Sequence, residues 1–340
     1  MEPLVFFYPV GHEAHFDAGH PERPERIEAI CQSLQEAGWW ERYPHLQPIS
    51  PVADILREVH TERYLEWLQQ TCRRGAYLDG DTYTTPASWE LALRAAGGCM
   101  AVAEAVWCGE ARRGYALPRP PGHHATPAYG MGFCLLNNIA LAAVLLIHRG
   151  AKRLAIVDLD LHHGNGTQEI FWERNDVFFI STHQSPLYPG SGQIDEIGGG
   201  KGLGFTANIP MPPATGDGGY NAAMREVILP LLEKHQPEMI LVSLGFDAHW
   251  KDPLGHLRLS ARGIADLIQS LVVFADGVCD GRIVLVQEGG YDLEVLRACA
   301  QAATAALLQL PVQDPLGPSP RGEGQSWQTV LTEIKKIWQL

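Results

Sequence analysis

The sequence is short of basic charge and has no long apolar segment. It contains 26 Lys and Arg against 39 Asp and Glu, which gives a formal net charge of -13. Such a balance disfavours binding to nucleic acid phosphates and instead suits basic partners or small neutral substrates. The longest apolar stretch, residues 139–147, is far below the ~20 residues of a membrane span. We therefore predict a soluble protein with no membrane association and no direct binding of nucleic acid.

Cysteine is sparse, and export features are absent. The seven cysteines are odd in number and form no CxxC pair, which favours reduced, buried thiols over a disulfide framework. A secretory signal has a basic region followed by a sustained apolar region. The opening stretch MEPLVFFYPVGHEAHF has neither. It is typical of a first β-strand. We therefore expect no export and a cytoplasmic location.

Hydrophobic residues make up 46% of the chain and charged residues 19%, which is enough apolar material for a large core. Apolar runs predict strands at residues 4–8, 115–117, 154–157, 177–181, 239–244 and 283–286. Helical patterns lie between and after them, at residues 26–37, 86–106, 138–149, 221–235, 261–275 and 293–308. The strands are continuously apolar, as expected for a parallel sheet with helices on both faces. The fold class is α/β.

One linker-like segment, PVQDPLGPSPRGEGQ at residues 311–325, precedes a final amphipathic helix at residues 327–340. No internal repeat is visible. We therefore predict a catalytic domain over residues 1–310. Residues 311–340 would form a linker and a C-terminal helix packed on, or appended to, the same domain.

Glycine- and proline-rich segments follow most of the predicted strands: PRPPGHH, HHGNG, YPGSG, GFDAHWKDPLG and EGGYD. Open parallel sheets bind ligands at the carboxyl ends of their strands, where these segments lie. The polar residues capable of chemistry occur in the same segments. This coincidence predicts an enzyme.

The stretch DLDLHH concentrates acidic and imidazole groups after an apolar strand. In extended backbone Asp158, Asp160 and His162 share one face, while Leu159 and Leu161 face the core. Asp160 and His162 are then placed to chelate one divalent cation. A capping aspartate with a hydrogen-bonded histidine would explain one such residue, but not three on a single face.

A catalytic zinc site usually has three protein ligands and one open position. Asp247, in LVSLGFDAH, follows another apolar run and a glycine that permits close approach. It is the natural third ligand, although alone it would be read as a turn or capping residue. His249 and His256 lie further into the loop and rank behind it as substitutes.

Two further motifs carry candidate catalytic groups. The rigid PRPPG turn presents His123 and His124 together, and two imidazoles can supply the base and the acid of metal-assisted hydrolysis. Tyr291 follows a strand and two glycines, where a phenol can donate to a developing oxyanion. A solvent-facing histidine pair and a tyrosine packed at a helix start remain the alternatives.

In this order, the motifs PPGHHA, GFCLLNN, DLDLHHGNGT, STHQSPLYPGSG, GFDAHWKDPLG and EGGY resemble the zinc-dependent histone deacetylase superfamily. That superfamily includes acetylpolyamine amidohydrolases and bacterial deacetylase-like amidohydrolases. HPERPER and HHGNGT are most similar to its class II branch. The resemblance runs from about residue 20 to about residue 300. It implies the arginase–deacetylase fold, with a roughly eight-stranded parallel sheet.

The resemblance implies specific roles for these residues. Zinc, one ion per chain, would bind Asp160, His162 and Asp247. His124 would be the general base and then the acid, backed by Asn165, and His123 would give electrostatic support while bonded to Asp158. A carboxylate partner favours imidazolium, whereas an amide partner favours the neutral ring. Tyr291 would stabilise the oxyanion.

The same resemblance implies a narrow acyl-lysine channel and a second ion. Phe133 and Tyr188 match its aromatic walls, Gly132 adjoins Phe133, and Leu254 occupies the mouth. Polyamine-selective class II relatives carry glutamate at the Leu254 position. Potassium would bind backbone carbonyls near Asp158, Asp160, His162, Ser181 and Thr182.

The leading interpretation is therefore a zinc-dependent hydrolase of acetyl or other acyl groups on lysine side chains of a protein or peptide. A small acetylated amine, such as an acetylpolyamine, is the alternative substrate. A sensor with a dead site is disfavoured because every catalytic position is intact. An arginase-like two-metal site is disfavoured because DLDLHHG places leucine where further ligands would be needed.

Overall fold

The computed structural model describes residues 1–340. Seven strands form one sheet in which every pair is parallel, in the order β1-β2-β7-β6-β3-β4-β5. The strands are β1 (Val5–Phe7), β2 (Arg113–Ala116), β3 (Leu154–Asp158), β4 (Val177–Gln184), β5 (Thr206–Met211), β6 (Met239–Leu244) and β7 (Ile283–Gln287). The α/β class and the open parallel sheet are confirmed.

The expectation of about eight strands is corrected to seven. Outside β1, the segment around His45 approaches the sheet edge in parallel, and Phe6 exchanges backbone hydrogen bonds with Pro44 and Leu46. That pairing is a single bridge, too short to count as a strand. It covers an edge that would otherwise present unpaired backbone groups.

Helices surround the sheet. They are α1 (Glu25–Glu36), α2 (Ala53–Val59), α3 (Glu62–Arg74), α4 (Ser88–Trp107), α5 (Asn138–His148), α6 (Asn165–Phe171), α7 (Asp217–Ala223), α8 (Leu229–His235), α9 (Ala261–Val278), α10 (Leu293–Leu307) and α11 (Trp327–Trp338). Short 3₁₀ turns occupy His12–Ala14 and Gly200–Gly202. None of these helices is both long and apolar enough to cross a bilayer.

Both faces of the sheet are buried. Neighbouring residues of the central strands belong to different hydrophobic cores. Val157 and Val242 pack with α1 and α7–α10 on one face of the sheet. Ile156 and Leu241 pack with α2–α5 on the other face. This two-sided burial explains why the strands read as continuous apolar runs rather than alternating ones. The sheet therefore holds its carboxyl edge rigidly between two helical layers.

Some predicted bounds were wrong for a physical reason. The helix predicted at residues 221–235 is divided into α7, a π-helical segment Met224–Ile228 and α8. Pro230 lies in the first turn of α8, and because it has no N–H, it cannot continue an unbroken α-helical ladder. Strand β5 was missed because it contains Asn208 and Pro210, although proline is tolerated on an edge strand.

Chain order reverses at the middle of the sheet. From β3 the chain steps outward to β4 and β5, and then returns to the other side of β3 as β6. The crevice between the carboxyl ends of β3 and β6 is thus a topological switch point, where open α/β sheets bind ligands.

Candidate metal centre and active site

Three acidic and imidazole side chains meet at this switch point. Asp160 and His162 follow β3, and Asp247 follows β6. His162 Nδ1 lies 3.2 Å from Asp160 Oδ1 and 3.3 Å from Asp247 Oδ2. Their candidate ligand atoms all lie within 4.8 Å of one another. The hydrogen-bonded strand ends at Asp158, yet Leu159 and Leu161 still face the core, as the alternation predicts.

The surrounding protein groups do not satisfy all the carboxylate oxygens of this cluster, and a bound cation would. Asp247 Oδ2 is buried and has no hydrogen-bond partner, since its approach to His162 lacks hydrogen-bonding geometry. Burial, and then the charge of Asp160, raise the pKa of Asp247. Two buried carboxylates with an orphaned oxygen are stabilised by a bound positive ion. The donor set, two carboxylates and one imidazole, is one that zinc accepts.

Glycines let the backbone close around this cluster. A Cβ at Gly245 would lie 2.0 Å from Asp160 Oδ2, and one at Gly289 would lie 2.1 Å from Asp247 Oδ2. The Gly289 N–H also donates to Asp160 Oδ2 at 2.8 Å. Any side chain at either position would displace a carboxylate of the cluster. His249 and His256, the substitute ligands considered from the sequence, are not part of the cluster.

The histidine pair lies beside the cluster with two different partners. His123 Nδ1 is 3.0 Å from Asp158 Oδ2, and His124 Nδ1 is 2.8 Å from Asn165 Oδ1. The two rings are 4.0 Å apart between centroids. Asn165 begins α6, so one short helix positions the partner of His124.

The two imidazoles differ in their affinity for a proton. Burial lowers the pKa of His123, but the carboxylates of Asp160 and Asp158 outweigh burial and raise it to about 10. Burial, and then the charges of His123 and His162, lower the pKa of His124 well below its ordinary value. His123 thus favours the imidazolium form and His124 the neutral form. Carboxylate neighbours account for His123 as expected, whereas the low pKa of His124 comes from burial and neighbouring positive charge rather than from its amide partner.

Tyr291 follows β7 and directly precedes the Asp292 cap of α10. Its N–H donates to Asp252 Oδ2 at 2.6 Å, and the Arg26 guanidinium lies 4.7 Å from the centre of its ring. Burial raises the pKa of the Tyr291 phenol well above its ordinary value, so the hydroxyl stays protonated. Helix packing alone does not account for this position, since the ring also lines a cavity with His123 and His124.

That cavity has a volume of about 260 Å³. Tyr188 meets His124 edge-on at 5.2 Å between ring centroids, and Phe133 meets Tyr291 edge-on at 5.8 Å. Gly132 and Leu254 complete the set of predicted channel residues on its wall. A larger open groove of about 1040 Å³ between α1 and residues 40–48 contains no comparable cluster of chemical groups.

The sequence interpretation missed several residues around the cavity. Asp81 lines it, and Glu288 accepts the Gly122 N–H at 2.7 Å beneath the histidine turn. Arg26 donates to the Glu288 and Gly290 carbonyls, thereby holding the EGGY turn. The sequence did contain a pattern that indicates a role for Arg26. In HPERPER, Glu22 and Arg26 are four residues apart, the spacing at which two side chains form an ion pair on a helix. Glu288 is the first residue of the EGGY motif, although no role was assigned to it, whereas no local sequence pattern indicates Asp81.

Together, the fold and the site define a class: an open parallel α/β protein with a candidate metal centre and a buried histidine pair at its switch point. The histone deacetylase domain matches residues 20–307 of this chain. The chain belongs to the histone deacetylase family, whose members are hydrolases acting as deacetylases or amidohydrolases.

Individual relatives agree with this assignment. A probable deacetylase of Archaeoglobus fulgidus is 46% identical over 277 residues, covering 81% of this chain and 77% of the relative. A histone deacetylase-like amidohydrolase of Pseudomonas aeruginosa is 38% identical over 305 residues, covering 88% of this chain and 80% of that protein.

A plant relative supports the fold as well. Histone deacetylase 15 of Arabidopsis thaliana is 39% identical over 295 residues, which cover 85% of this chain but only 53% of the plant protein. The crystal structure of the HDA15 HD domain superposes with a TM-score of 0.89 at 34% identity, covering 99% of this chain and 94% of that one. The predicted family and its fold are confirmed.

Proposed function

We propose that this chain is a zinc-dependent amidohydrolase that removes acetyl or other acyl groups from lysine side chains. The observation that carries the proposal is a convergence at one narrow cavity. The groups that adjoin it are a buried Asp-His-Asp cluster, one histidine with a raised pKa, one histidine with a lowered pKa, and a protonated tyrosine. Together these groups can supply the metal-bound water, the acid–base group and the oxyanion donor of metal-assisted amide hydrolysis.

Asp160, His162 and Asp247 are the proposed zinc ligands, which leave a coordination position for water. Zinc bound there would polarise the acyl carbonyl and make a water molecule more acidic. We also propose potassium binding by nearby backbone carbonyls. The pairing of Asp158 with Ser181, and the Thr182 hydroxyl donating to the Asp158 carbonyl at 3.3 Å, support this second site.

His124 is the proposed general base and acid. Its Nδ1–H donates to Asn165 Oδ1, which leaves Nε2 unprotonated and able to accept a proton from water. Because the same ring is then an acid, it can pass that proton to the departing lysine amine. His123, held as imidazolium by the carboxylates of Asp160 and Asp158, would supply a fixed positive charge next to the reacting groups.

Tyr291 is the proposed oxyanion donor. Its phenol remains protonated at neutral pH and lines the cavity with the histidines. A preorganised donor of this kind stabilises the charge that develops on the former carbonyl oxygen. Phe133, Tyr188, Gly132 and Leu254 are the proposed walls that hold the methylene stem of the substrate.

A small acetylated polyamine is the second candidate substrate, because one observation favours it. Asp81 lines the cavity, and burial together with the charge of Asp79 raises its pKa. A carboxylate there can attract a distant ammonium even though Leu254 carries no charge. The apolar Leu254 rim nevertheless favours acyl-lysine.

A direct comparison of substrates tests the proposal. Purified enzyme should hydrolyse acetyl-lysine peptides with a higher kcat/KM than acetylspermidine, lose activity to a chelator and regain it with zinc. A tenfold or greater preference for acetylspermidine, about 1.4 kcal/mol, would instead assign the polyamine as substrate. Activity that survives complete metal removal would exclude the metal-assisted mechanism.

The metal ligands have a separate test. Asp160→Ala and Asp247→Ala should each bind far less zinc than the parent, because either change removes one of three ligands and leaves the other carboxylate unpaired. Metal analysis of the dialysed proteins measures this. Asp54→Ala, at an exposed position on α2, is the matched control and should retain full zinc. Full occupancy in either ligand variant contradicts the assignment.

A further inference from the structure

A second cavity, of about 400 Å³, is lined in part by the residues that follow Leu254 in the chain. We call it the basic pocket and define it by His256, Arg258, Arg321, Ser319 and Trp250, which lie on its wall. No acidic residue lines it. The cavity is lined by two arginines and a histidine and by no carboxylate. Its charge is therefore opposite in sign to the net charge of the chain, which is -13.

The cationic groups of the basic pocket are available to a ligand. Neither Arg258 nor Arg321 has a carboxylate oxygen within 4.0 Å, unlike Arg262 nearby, which pairs with Asp266. Arg258 uses one guanidinium nitrogen to donate to the Arg321 and Gly322 carbonyls, at 3.2 and 2.7 Å. Its remaining N–H groups are unused. The Arg258 guanidinium is thus held in place while donors stay free.

The pocket is built by three parts of the chain. The loop after β6 supplies Trp250, His256 and Arg258, the loop after β5 supplies Ala214, and the segment between α10 and α11 supplies Ser319 and Arg321. Trp250 Nε1–H donates to the Gly317 carbonyl at 2.9 Å, and the Gly324 N–H donates to the Ala214 carbonyl at 2.8 Å. These bonds fasten the segment to both loops, so it forms part of a built wall.

The basic pocket and the active-site cavity share one loop. Leu254 lines the active-site cavity, and Gly255 and His256 line the basic pocket. Two residues of extended chain span at most roughly 7 Å. A peptide entering with its acyl-lysine in the channel, and running at roughly 3.3 Å per residue, would bring side chains a few positions away over the basic pocket.

We propose that the basic pocket binds an oxyanion, and that it receives a carboxylate or phosphate group carried by the substrate peptide a few residues from the acyl-lysine. The choice of substrate in this inference rests on the proposed function. Arginine donors match carboxylate and phosphate geometry, and an imidazole N–H and a serine hydroxyl add further donors. The alternative source of the same chemistry is free inorganic phosphate.

Arg321 is the residue to change, because its guanidinium makes no hydrogen bond or ion pair within the chain, so Arg321→Glu removes neither. Arg321→Lys keeps the positive charge. Arg63→Glu on α3 is the matched control, since it is an exposed arginine without an ion pair and alters the net charge equally. All variants retain the residues of the proposed active site.

The first measurement is calorimetric titration with inorganic phosphate. The parent, Arg321→Lys and Arg63→Glu should bind phosphate, and Arg321→Glu should bind at least about fivefold more weakly, because a repulsive charge replaces an attractive one. Equal binding by all four proteins, or no binding by the parent, overturns the anion site. This measurement does not depend on catalysis.

The second measurement uses acetyl-lysine peptides with glutamate or phosphoserine at one of several positions beside the acyl-lysine, each paired with its glutamine or serine counterpart. At one or more positions the acidic peptide should have about fivefold higher kcat/KM, mainly through KM. Arg321→Glu should abolish that ratio without changing the neutral peptide. Phosphate should compete only with the acidic peptide.

The two measurements separate the possible failures. Phosphate binding lost in Arg321→Glu, without any preference for acidic peptides, assigns the pocket to the free anion and overturns its role in substrate choice. If the parent hydrolyses no acetyl-lysine peptide, the proposed function fails, and the phosphate titration alone decides the anion site.

Discussion

At the scale of single residues, the chemistry of the site depends on the charges around each imidazole ring. His123 and His124 are adjacent in sequence, yet their surroundings place their pKa values far apart. A pair of titratable groups whose environments separate their pKa values can divide the roles of fixed charge and proton carrier. The carboxylates of Asp160 and Asp158 raise the pKa of His123, whereas burial and the charges of His123 and His162 lower the pKa of His124.

His124→Ala and Tyr291→Phe should lower kcat far more than they alter stability. Loss of an oxyanion donor typically lowers the rate ~10²–10³-fold, and loss of the acid–base group should lower it at least as much. Steady-state kinetics on an acetyl-lysine peptide, together with zinc analysis, measure both effects. Tyr129→Phe is the control, because Tyr129 is 50% exposed and should be replaceable without change. Parental turnover by Tyr291→Phe would refute the oxyanion role.

Leu254→Glu should move substrate preference towards polyamines. The new carboxylate would lie on the cavity wall that also carries Asp81, and would attract the distant ammonium of acetylspermidine. Since exposed charge pairs contribute ~0.2–1 kcal/mol, the kcat/KM ratio should change by up to about fivefold. Leu254→Gln supplies a polar side chain without the charge and should leave the ratio near the parental value. An equal shift in both variants would show that charge is not the cause.

At the scale of elements, a buried ion cluster ties α1 to the catalytic turn. Arg119 donates to both oxygens of Glu22, at 2.8 and 3.0 Å, and Arg26 donates to one of them at 3.0 Å. Arg26 also bonds the backbone on both sides of Gly289 and stacks on Tyr291. The start of α1 thus fixes the turn that presents the proposed oxyanion donor.

Glu22→Gln should lower the free energy of unfolding by about 3–5 kcal/mol, because it leaves two buried guanidinium groups without their anion. Burial raises the pKa of Glu22, but Arg119 and Arg26 outweigh burial and lower it from 4.5 to about 2. The stabilisation from this ionised carboxylate is therefore complete above pH about 4.5 and is lost as the pH falls towards 2.

Denaturant unfolding of the parent and of Glu22→Gln across this acidic range measures the effect. The stability difference between them should be largest near neutral pH and should shrink as the pH falls below about 4.5. Glu25→Gln changes an exposed carboxylate at the start of the same helix and should leave stability nearly unchanged. A difference between parent and Glu22→Gln that is constant with pH would contradict the ion-cluster explanation.

At the scale of the whole molecule, we propose that residues 1–310 are the catalytic unit and that residues 311–340 are an extension packed on it. Leu331 and Ile334 of α11 are buried in the core that covers one face of the sheet. Lys335 pairs with Glu226 at 2.7 Å, and Trp338 lies 5.8 Å from Phe178 between ring centroids. These contacts favour one cooperative unit.

Leu331→Ala should therefore destabilise the whole chain by about 2–5 kcal/mol, because it opens a cavity in a shared core. Denaturant unfolding monitored by fluorescence and by loss of deacetylase activity should show one coincident transition at a lower midpoint. Ile337→Ala, at a 40% exposed position of the same helix, is the control and should have a small effect. Two separate transitions would show that α11 unfolds independently of the catalytic unit.

Much of the fold was predictable because the relevant forces act locally along the chain. Six of the seven strands were predicted from apolar runs, which indicate burial on both faces of a sheet. Strand β5 and helices α2, α3 and α6 were not predicted. Residues such as Pro210 and Asn208 contradict local strand preference, and edge position in the sheet overrides that preference.

By itself, the sequence determined which side chains stand at strand ends, because alternation and strand length are local properties. It therefore yielded Asp160, His162, Asp247, the histidine pair and Tyr291 as candidates. Only the tertiary structure decided that β6 returns beside β3, which brings Asp247 to His162. Only packing decided that Arg119 reaches Glu22, that Arg26 lies over Tyr291 and that His256 and Arg321 line one cavity. These contacts join residues distant in sequence, and long-range packing, rather than local preference, determines which of them meet.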